Sequence, residues 1–455
     1  MILALTIPLV GATGAQGVQP EKFGGPGQGL LEASQSLPPT PTPDPAFRRA
    51  AEEALRRYLE VSGPANGLSR LRLDAGGRVL STDGAPVTLS PPLDVASARA
   101  AALARIRITW EGGGAPRWDR ATLADPIPLY DLSGEVVAYL FVVHQNGIPA
   151  GYVTVAALDL PNPVLEFATD GPSPLDGALD TLRQKGLRSL HPDRPLYLGL
   201  LGYAYEVPSP TAGTRRVFRL LGHQSLEISE TDARVPLRER VRPQSTRPLS
   251  VQPMAYRLIS GVPDWNQFWG SYGCWSGCSP TAATNVMGYW DSHGYGNLIS
   301  GSDWQGAVNE MRTYMGTYCG QDGSGWTSVG NISPGISTYS QAHGYTFASE
   351  LWCDGCATYP SYDRYRSEID ADRPLVVDVI NHSTYGNHSV TGVGYETSGS
   401  YLIVHDNWSS TGENVYLQYG SGYSTIYMHP VIPGGGGSNR PPNTPQPTSP
   451  GDWYV

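Results

Sequence analysis

The first 250 residues contain no cysteine, and the residues after them contain no lysine. No stretch reaches the roughly 18 apolar residues that a membrane-spanning helix requires, so no membrane span is expected. No internal repeat is evident. From residue 251 onward, 16 Asp and Glu face 6 Arg, a net of −10, whereas the first 250 residues carry 25 charges of each sign. An acidic half without a basic stripe argues against nucleic acid or an anionic membrane as partner. The opening stretch, Met1 to Gln16, lacks a positively charged first segment, yet its apolar run followed by small residues is like the end of a secretory signal. It is read as a signal whose start is truncated or misassigned, which points to a secreted or cell-surface protein.

What is present suffices for folded cores. At 455 residues, 40% hydrophobic and 10% aromatic, the chain is expected to form two to three domains. Residues 1–46 are the signal-like segment and a spacer whose Ser36 to Phe47 run is Pro-rich and extended. Residues 47–233 read as an α+β domain. Phe47 to Glu60 and Ala96 to Ile106 carry helical periodicity, and Pro174 to Lys185 reads as a further helix. Val136 to His144 and Gly151 to Ala157 are β-rich runs flanking Asn146-Gly147, a strong hairpin signal, and Val164 to Thr169 adds a strand. Residues 234–260 form an exposed linker, with five Arg and three Pro between Arg234 and Pro248, and are the candidate processing site. Residues 261–433 change in composition to Gly, Tyr, Trp and Ser, and residues 434–455 are a Gly- and Pro-rich tail expected to be disordered.

All five cysteines, Cys274, Cys278, Cys319, Cys353 and Cys356, lie in the second half. In an exported protein one free thiol and two disulfides is the simplest partition, with the pairing left open. Cys353-Asp-Gly-Cys356 could be half a zinc site, but a second pair at matching spacing is absent, and neither metal nor cofactor is expected. Cys278 is followed by Pro280 in a segment that reads as helix to about Trp290, which places its sulfur at a helix N-terminus. There the unpaired N–H groups and the dipole favour the nucleophilic thiolate. The bland alternative is a buried thiol or a disulfide with Cys274. Pro374 to Ile380, His388 to Tyr395 and Tyr401 to His405 read as strands. A His opening one strand and a carboxylate, Asp406, closing the next can meet across an antiparallel pair as base and orienting group. Among the competitors, His293 is expected to cap a helix, His405 to lie at the surface, and His343 and His429 to have no acid placed to orient them; His382 lies in the loop before His388.

The order of Cys, His and Asp or Asn before a Trp resembles that of papain-like cysteine peptidases. Gly277-Cys278-Ser279-Pro280-Thr281-Ala282-Ala283, Met287 to Asp291, His388 to Tyr395 and Ile403 to Trp408 resemble most closely the bacteriocin-processing, double-glycine-peptidase-like branch. The resemblance implies Cys278 as nucleophile, His388 as general base and Asp406 as orienting residue, with Asn407 as runner-up. It also implies Gln267 as oxyanion donor, although the insert Phe268 to Cys274 lengthens its separation from Cys278. Pro126 to Ala157 and Val164 to Thr169 look like the prosegments of streptopain-type secreted peptidases.

The expected architecture is therefore a papain-like α+β fold, a helical subdomain packed on an antiparallel sheet, behind a smaller α+β domain. The expected function is a secreted zymogen of a cysteine endopeptidase, with protein or peptide substrates and an intramolecular inhibitory domain as partners. Two alternatives stand beside it: a cell-wall peptide amidase or transglutaminase-type acyl transferase using the same triad, and a non-catalytic secreted binding protein on a peptidase scaffold. Asn-x-Ser sites at Asn331, Asn381, Asn387 and Asn407 are read as chance, or as a hint of a prokaryotic source, since glycans beside the base and the acid would block the cleft.

Overall fold

The computed structural model describes residues 71–73, 79–81, 93–158, 160, 162–234, 236–237, 255–382, 386–434 and 455. The expected helix at Phe47 to Glu60, the signal-like segment and most of the Arg- and Pro-rich linker lie outside them. A short hairpin, β1 (Leu71–Leu73) and β2 (Val79–Ser81), comes first. Helix α1 (Val95–Glu111) follows, its first turn closed by the Asp94 carboxylate, which accepts from the Ser97 N–H at 2.7 Å. Next are β3 (Thr122–Leu123), β4 (Ile127–Tyr130), β5 (Val136–Gln145), β6 (Ile148–Ala156) and β7 (Val164–Ala168). Asn146 and Gly147 both take positive φ, 53° and 78°, the backbone that a two-residue hairpin between twisted strands demands. Helix α2 (Ala178–Gln184), β8 (Leu196–Tyr197), β9 (Tyr203–Val207), the hairpin β10 (Thr214–Arg219) and β11 (Gln224–Ser229), and α3 (Glu230–Ala233) complete this part.

The second part opens with β12 (Tyr256–Leu258), a strand inside the stretch read as linker, which pairs with Gly394–Glu396. Helices α4 (Cys278–Ser292), α5 (Trp304–Met315) and α6 (Val329–Ala342) then form the helical layer, with small hairpin strands β13 (Tyr318–Cys319) and β14 (Gly325–Trp326) between the last two. α4 is buried continuously from Cys278 to Tyr289, as a helix enclosed on every side must be. After β15 (Phe347–Ala348) and α7 (Tyr362–Asp370) come β16 (Leu375–Ile380), β17 (His388–Glu396), β18 (Tyr401–His405), β19 (Val415–Gln418), β20 (Thr425–His429) and β21 (Ile432–Pro433). Strands β16 to β18 are buried at every residue, the polar Asp378, His388, Ser389, Thr391, Glu396 and His405 included. Val455, assigned to a disordered tail by composition, is buried and exchanges two backbone hydrogen bonds with Thr327.

The two parts share one sheet. Its order is β11-β10-β9-β8-β4-β5-β6-β7-β19-β18-β17-β16-β20, mostly antiparallel, with β12 added on β17 and β3 on β5. The seam is β7 against β19, where Glu166 faces Leu417 and Phe167 faces Tyr416. On one side of the sheet Phe167 stacks on Tyr416 at 4.3 Å and meets Tyr401 edge-on. Arg105 of α1 lies over the Tyr401 ring and bonds Glu396 of β17 at 2.6 Å, both side chains almost fully buried. On the other side Glu166 accepts from the N–H of Leu201, whose φ of 58° is unusual for a branched apolar residue. That turn reaches across the seam, Leu200 donating to Ser424 and accepting from Asn381.

Removing one partner of a buried ion pair strands the other, so Arg105→Ala is expected to lower the stability of the full chain by about 3–5 kcal/mol in denaturant unfolding. Burial pushes the Glu166 carboxyl up to about 7, against hydrogen bonds from Tyr203, Leu201 and Tyr197. A carboxyl whose folded pKa exceeds its unfolded value contributes stability that is complete below the unfolded value and lost as pH climbs through the folded one. Between about pH 4.5 and pH 7 Glu166 should therefore withdraw on the order of 3 kcal/mol, and Glu166→Gln should flatten that share of the pH dependence.

Candidate active site

Cys278 is the first residue of α4, behind Gly277, whose φ of 91° aims the incoming chain at the helix start. A Cβ at Gly277 would meet the Gly325 carbonyl at 3.0 Å, so glycine alone fits this approach. Cys278 is the free cysteine among the described residues, since Cys274 pairs with Cys319 and Cys353 with Cys356. The second of these is the pair considered as half a zinc site.

His388 opens β17, beside Ser389, whose backbone hydrogen-bonds Cys278. Its Nε2 lies 2.7 Å from the Asp406 backbone carbonyl. A carbonyl can only accept, so Nε2 carries the proton and Nδ1 is left as the ring's base. The ring stacks on Trp408 at 5.3 Å. Asp406 thus holds the imidazole, but through its backbone. Its carboxyl turns the other way, accepting from the Trp408 N–H at 3.0 Å and from the Thr411 hydroxyl at 2.7 Å. Burial, with Asp264 and Glu166 nearby, pushes that carboxyl up to about 8 against the bonds from Thr411 and Trp408, so it is mostly neutral at pH 7. Asn407, the runner-up, is a brace instead: its amide donates to the Ser389 carbonyl and accepts from Asn285 of α4. Asn285 also accepts from the Trp265 N–H, tying the nucleophile helix to the segment before it.

Gln267 is buried, its backbone N–H bonded to the Asn407 carbonyl, while its side-chain amide has no protein partner. A buried amide left unsatisfied is a donor awaiting an acceptor. Three further histidines differ from expectation. His405 is buried, bonded to the Pro263 carbonyl at 3.0 Å; His343 meets Glu310 at 3.1 Å. His429 meets Asp378 at 2.9 Å, and Asp378 continues through Ser389 to Ser279, a buried polar chain beneath Cys278. His293 caps α4, as expected.

The element that sequence reasoning missed comes from the first part of the chain. Arg219, the last residue of β10, is buried, with Nη1 donating to the Asn387 carbonyl at 3.2 Å and with Nε and Nη2 unpartnered. Its charge acts on both Cys278 and His388. Beyond it, Gly222 sits so close on the Trp408 indole that a Cβ would fall 2.8 Å from the ring, and His223 meets the edge of Trp275. Burial and then Arg219 push His388 down to about 3, against the bond to Asp406. Burial raises the Cys278 thiol, helped by Asp378 and opposed by the Ser389 bond, Arg219 and Ser279. At neutral pH the pair is therefore thiol and imidazole, without charge.

Residues 259–427 match the model of the Peptidase_C39 like family. No curated protein matches the chain. The C39-like match runs from just after β12 to within β20 and contains Gln267, Cys278, His388 and Asp406. It supports a cysteine peptidase, and so a hydrolase, in this segment. The large antiparallel-dominated sheet with its helical layer is consistent with a peptidase fold.

Because the imidazole is held by a carbonyl, Asp406→Asn should keep kcat within about tenfold of wild type on a peptide substrate. A loss near 10⁴-fold, the scale set by an orienting carboxylate, would mean that the Asp406 side chain reaches His388 during catalysis. Gln267→Ala should lower kcat by about 10²–10³-fold, the effect of losing one oxyanion donor.

Proposed function

We propose that the chain is a secreted cysteine endopeptidase made in latent form, with its first part as an intramolecular inhibitor. The observation that carries this reading is Arg219, a buried cation from outside the C39-like segment whose guanidinium donates to the carbonyl of Asn387, the residue before His388. Substrate cannot share that space with the β10–β11 hairpin. Cutting within the Arg- and Pro-rich stretch, residues 234–248, followed by withdrawal of the hairpin, restores solvent and removes the guanidinium. His388 then regains affinity for a proton and takes the one on Cys278. The thiolate attacks a peptide carbonyl and forms a C–S bond. Gln267 and the Cys278 backbone N–H hold the oxyanion. His388 gives its proton to the leaving amine as the C–N bond breaks, and water activated by His388 later hydrolyses the thioester. Activity should be bell-shaped in pH, bounded by thiolate formation below and His388 deprotonation above.

The test is intact mass over time for the full-length chain, wild type beside Cys278→Ala. The wild type is expected to be cut within Arg234 to Pro248 while the variant stays whole. If neither is cut, the self-removed inhibitor is lost, and failure of a thiol-directed peptidyl electrophile to label Cys278 after an added protease has cut within Arg234 to Pro248 would remove the peptidase reading too.

A further inference from the structure

The insert from Phe268 to Cys274 lengthens the approach to the nucleophile, and the mechanism above leaves it without a role. It is rigid. Cys274 is bonded to Cys319, the Gly270 N–H donates to the Cys274 carbonyl at 2.9 Å, and Arg312 braces the exit. That guanidinium donates to the Trp275 and Ser276 carbonyls and lies 3.9 Å from the Tyr272 ring centre. On this braced loop Trp269 is 59% exposed, its ring resting over Gly323. The ring belongs to a series. Trp269 meets Trp275 edge-on at 6.1 Å, Trp275 meets Trp408 edge-on at 6.4 Å, and Trp408 stacks on His388. Three indoles thus lead from solvent to the catalytic base.

The base fixes which side of the substrate they serve. His388 must reach the leaving nitrogen, so rings that continue outward from His388 lie beside the segment after the scissile bond. The inhibitory hairpin already lies there: Gly222 covers Trp408, whose buried Nε1 has no partner, and the flat ring of His223 faces Trp275 at 6.5 Å, backed by Phe218. We infer that Trp408, Trp275 and Trp269 form the leaving-side subsite, that it selects peptides with an aromatic residue just after the scissile bond, and that His223 occupies it in the latent chain. This rests on the peptidase reading above.

The same subsite must receive an amine that competes with water for the acyl-enzyme. Its nitrogen attacks the thioester carbonyl, the C–S bond breaks as the C–N bond forms, and the amine's proton returns through His388 to Cys278. The experiment acylates matured wild-type protein with a small ester substrate and measures the partition between hydrolysis and transfer to glycinamide or phenylalaninamide. A burst of alcohol product counts the molecules that acylate, and the preference is a ratio within each variant, so loss of folded protein cancels. Phenylalaninamide should intercept the acyl-enzyme at least tenfold better than glycinamide, and Trp269→Ala should bring the two within about threefold. Equal interception by wild type, or an undiminished preference in Trp269→Ala, overturns the subsite. Absence of any Cys278-dependent alcohol release from wild type overturns the peptidase reading, an outcome distinct from release without preference.

Discussion

A guanidinium removed from water beside a thiol and an imidazole is the constraint on which the rest of the structure depends. Burial lowers the Arg219 pKa to about 10, with Cys278 and Asp322 opposing the fall, so it still carries its charge at pH 7. An isolated buried cation is unfavourable by several kcal/mol and will leave for solvent unless its backbone is held. The hairpin that carries it cannot hold itself there, because two strands alone are marginal in water. What holds it is continuity: β10 pairs with β9, and the ladder runs through β8, β4, β5 and β6 to β7 and across the seam to β19. The stability of the whole sheet is thereby spent on keeping one charge where no charge would otherwise stay.

The seam supplies the contacts that keep such an arrangement firm. The Phe167, Tyr401 and Tyr416 rings with the Arg105–Glu396 pair supply apolar area and a desolvated ion pair on one face. On the opposite face Glu166 favours the neutral form at the ladder itself, and away from it burial and the charges of Glu413 and Asp170 raise Asp264 to about 7. A cut in the connecting segment removes the covalent link but none of these contacts. On the proposed latent form, separation would then be a second event, whose free energy falls as Glu166 ionises.

Much of this was legible in the residues. The Asn146-Gly147 turn, the β-rich runs around it and the Gly-Cys-x-Pro-Thr-Ala-Ala helix start are local signals with local causes, and each element formed where its pattern lies. Asp406 shows where local reading stopped short. The Asp-Asn-Trp run with Thr411 beyond it permits the Asp406 side chain to close on the Trp408 N–H two residues ahead, a common habit of aspartate in turns. That turn consumes the carboxyl and leaves the carbonyl for His388. Non-local pairings were not legible. Arg219 ends a strand that reads Thr-Arg-Arg-Val-Phe-Arg, where arginine ordinarily marks solvent, and only the pairing of β7 with β19 brings it to Cys278. The same holds for His429 and Asp378, whose contact depends on β20 lying beside β16.

The central claim is that the nucleophile and base are uncharged while Arg219 occupies the cleft, and histidine NMR on the full-length Cys278→Ser chain tests it most directly. Cys278→Ser keeps the chain uncut while preserving the shape of the site. With the hairpin in place His388 should remain neutral, as the Nε2–H tautomer, down to about pH 4. In Arg219→Gln on the same background its pKa should rise. Titration of His388 near pH 6.5 in the unaltered hairpin, or no change on removing Arg219, would contradict the account.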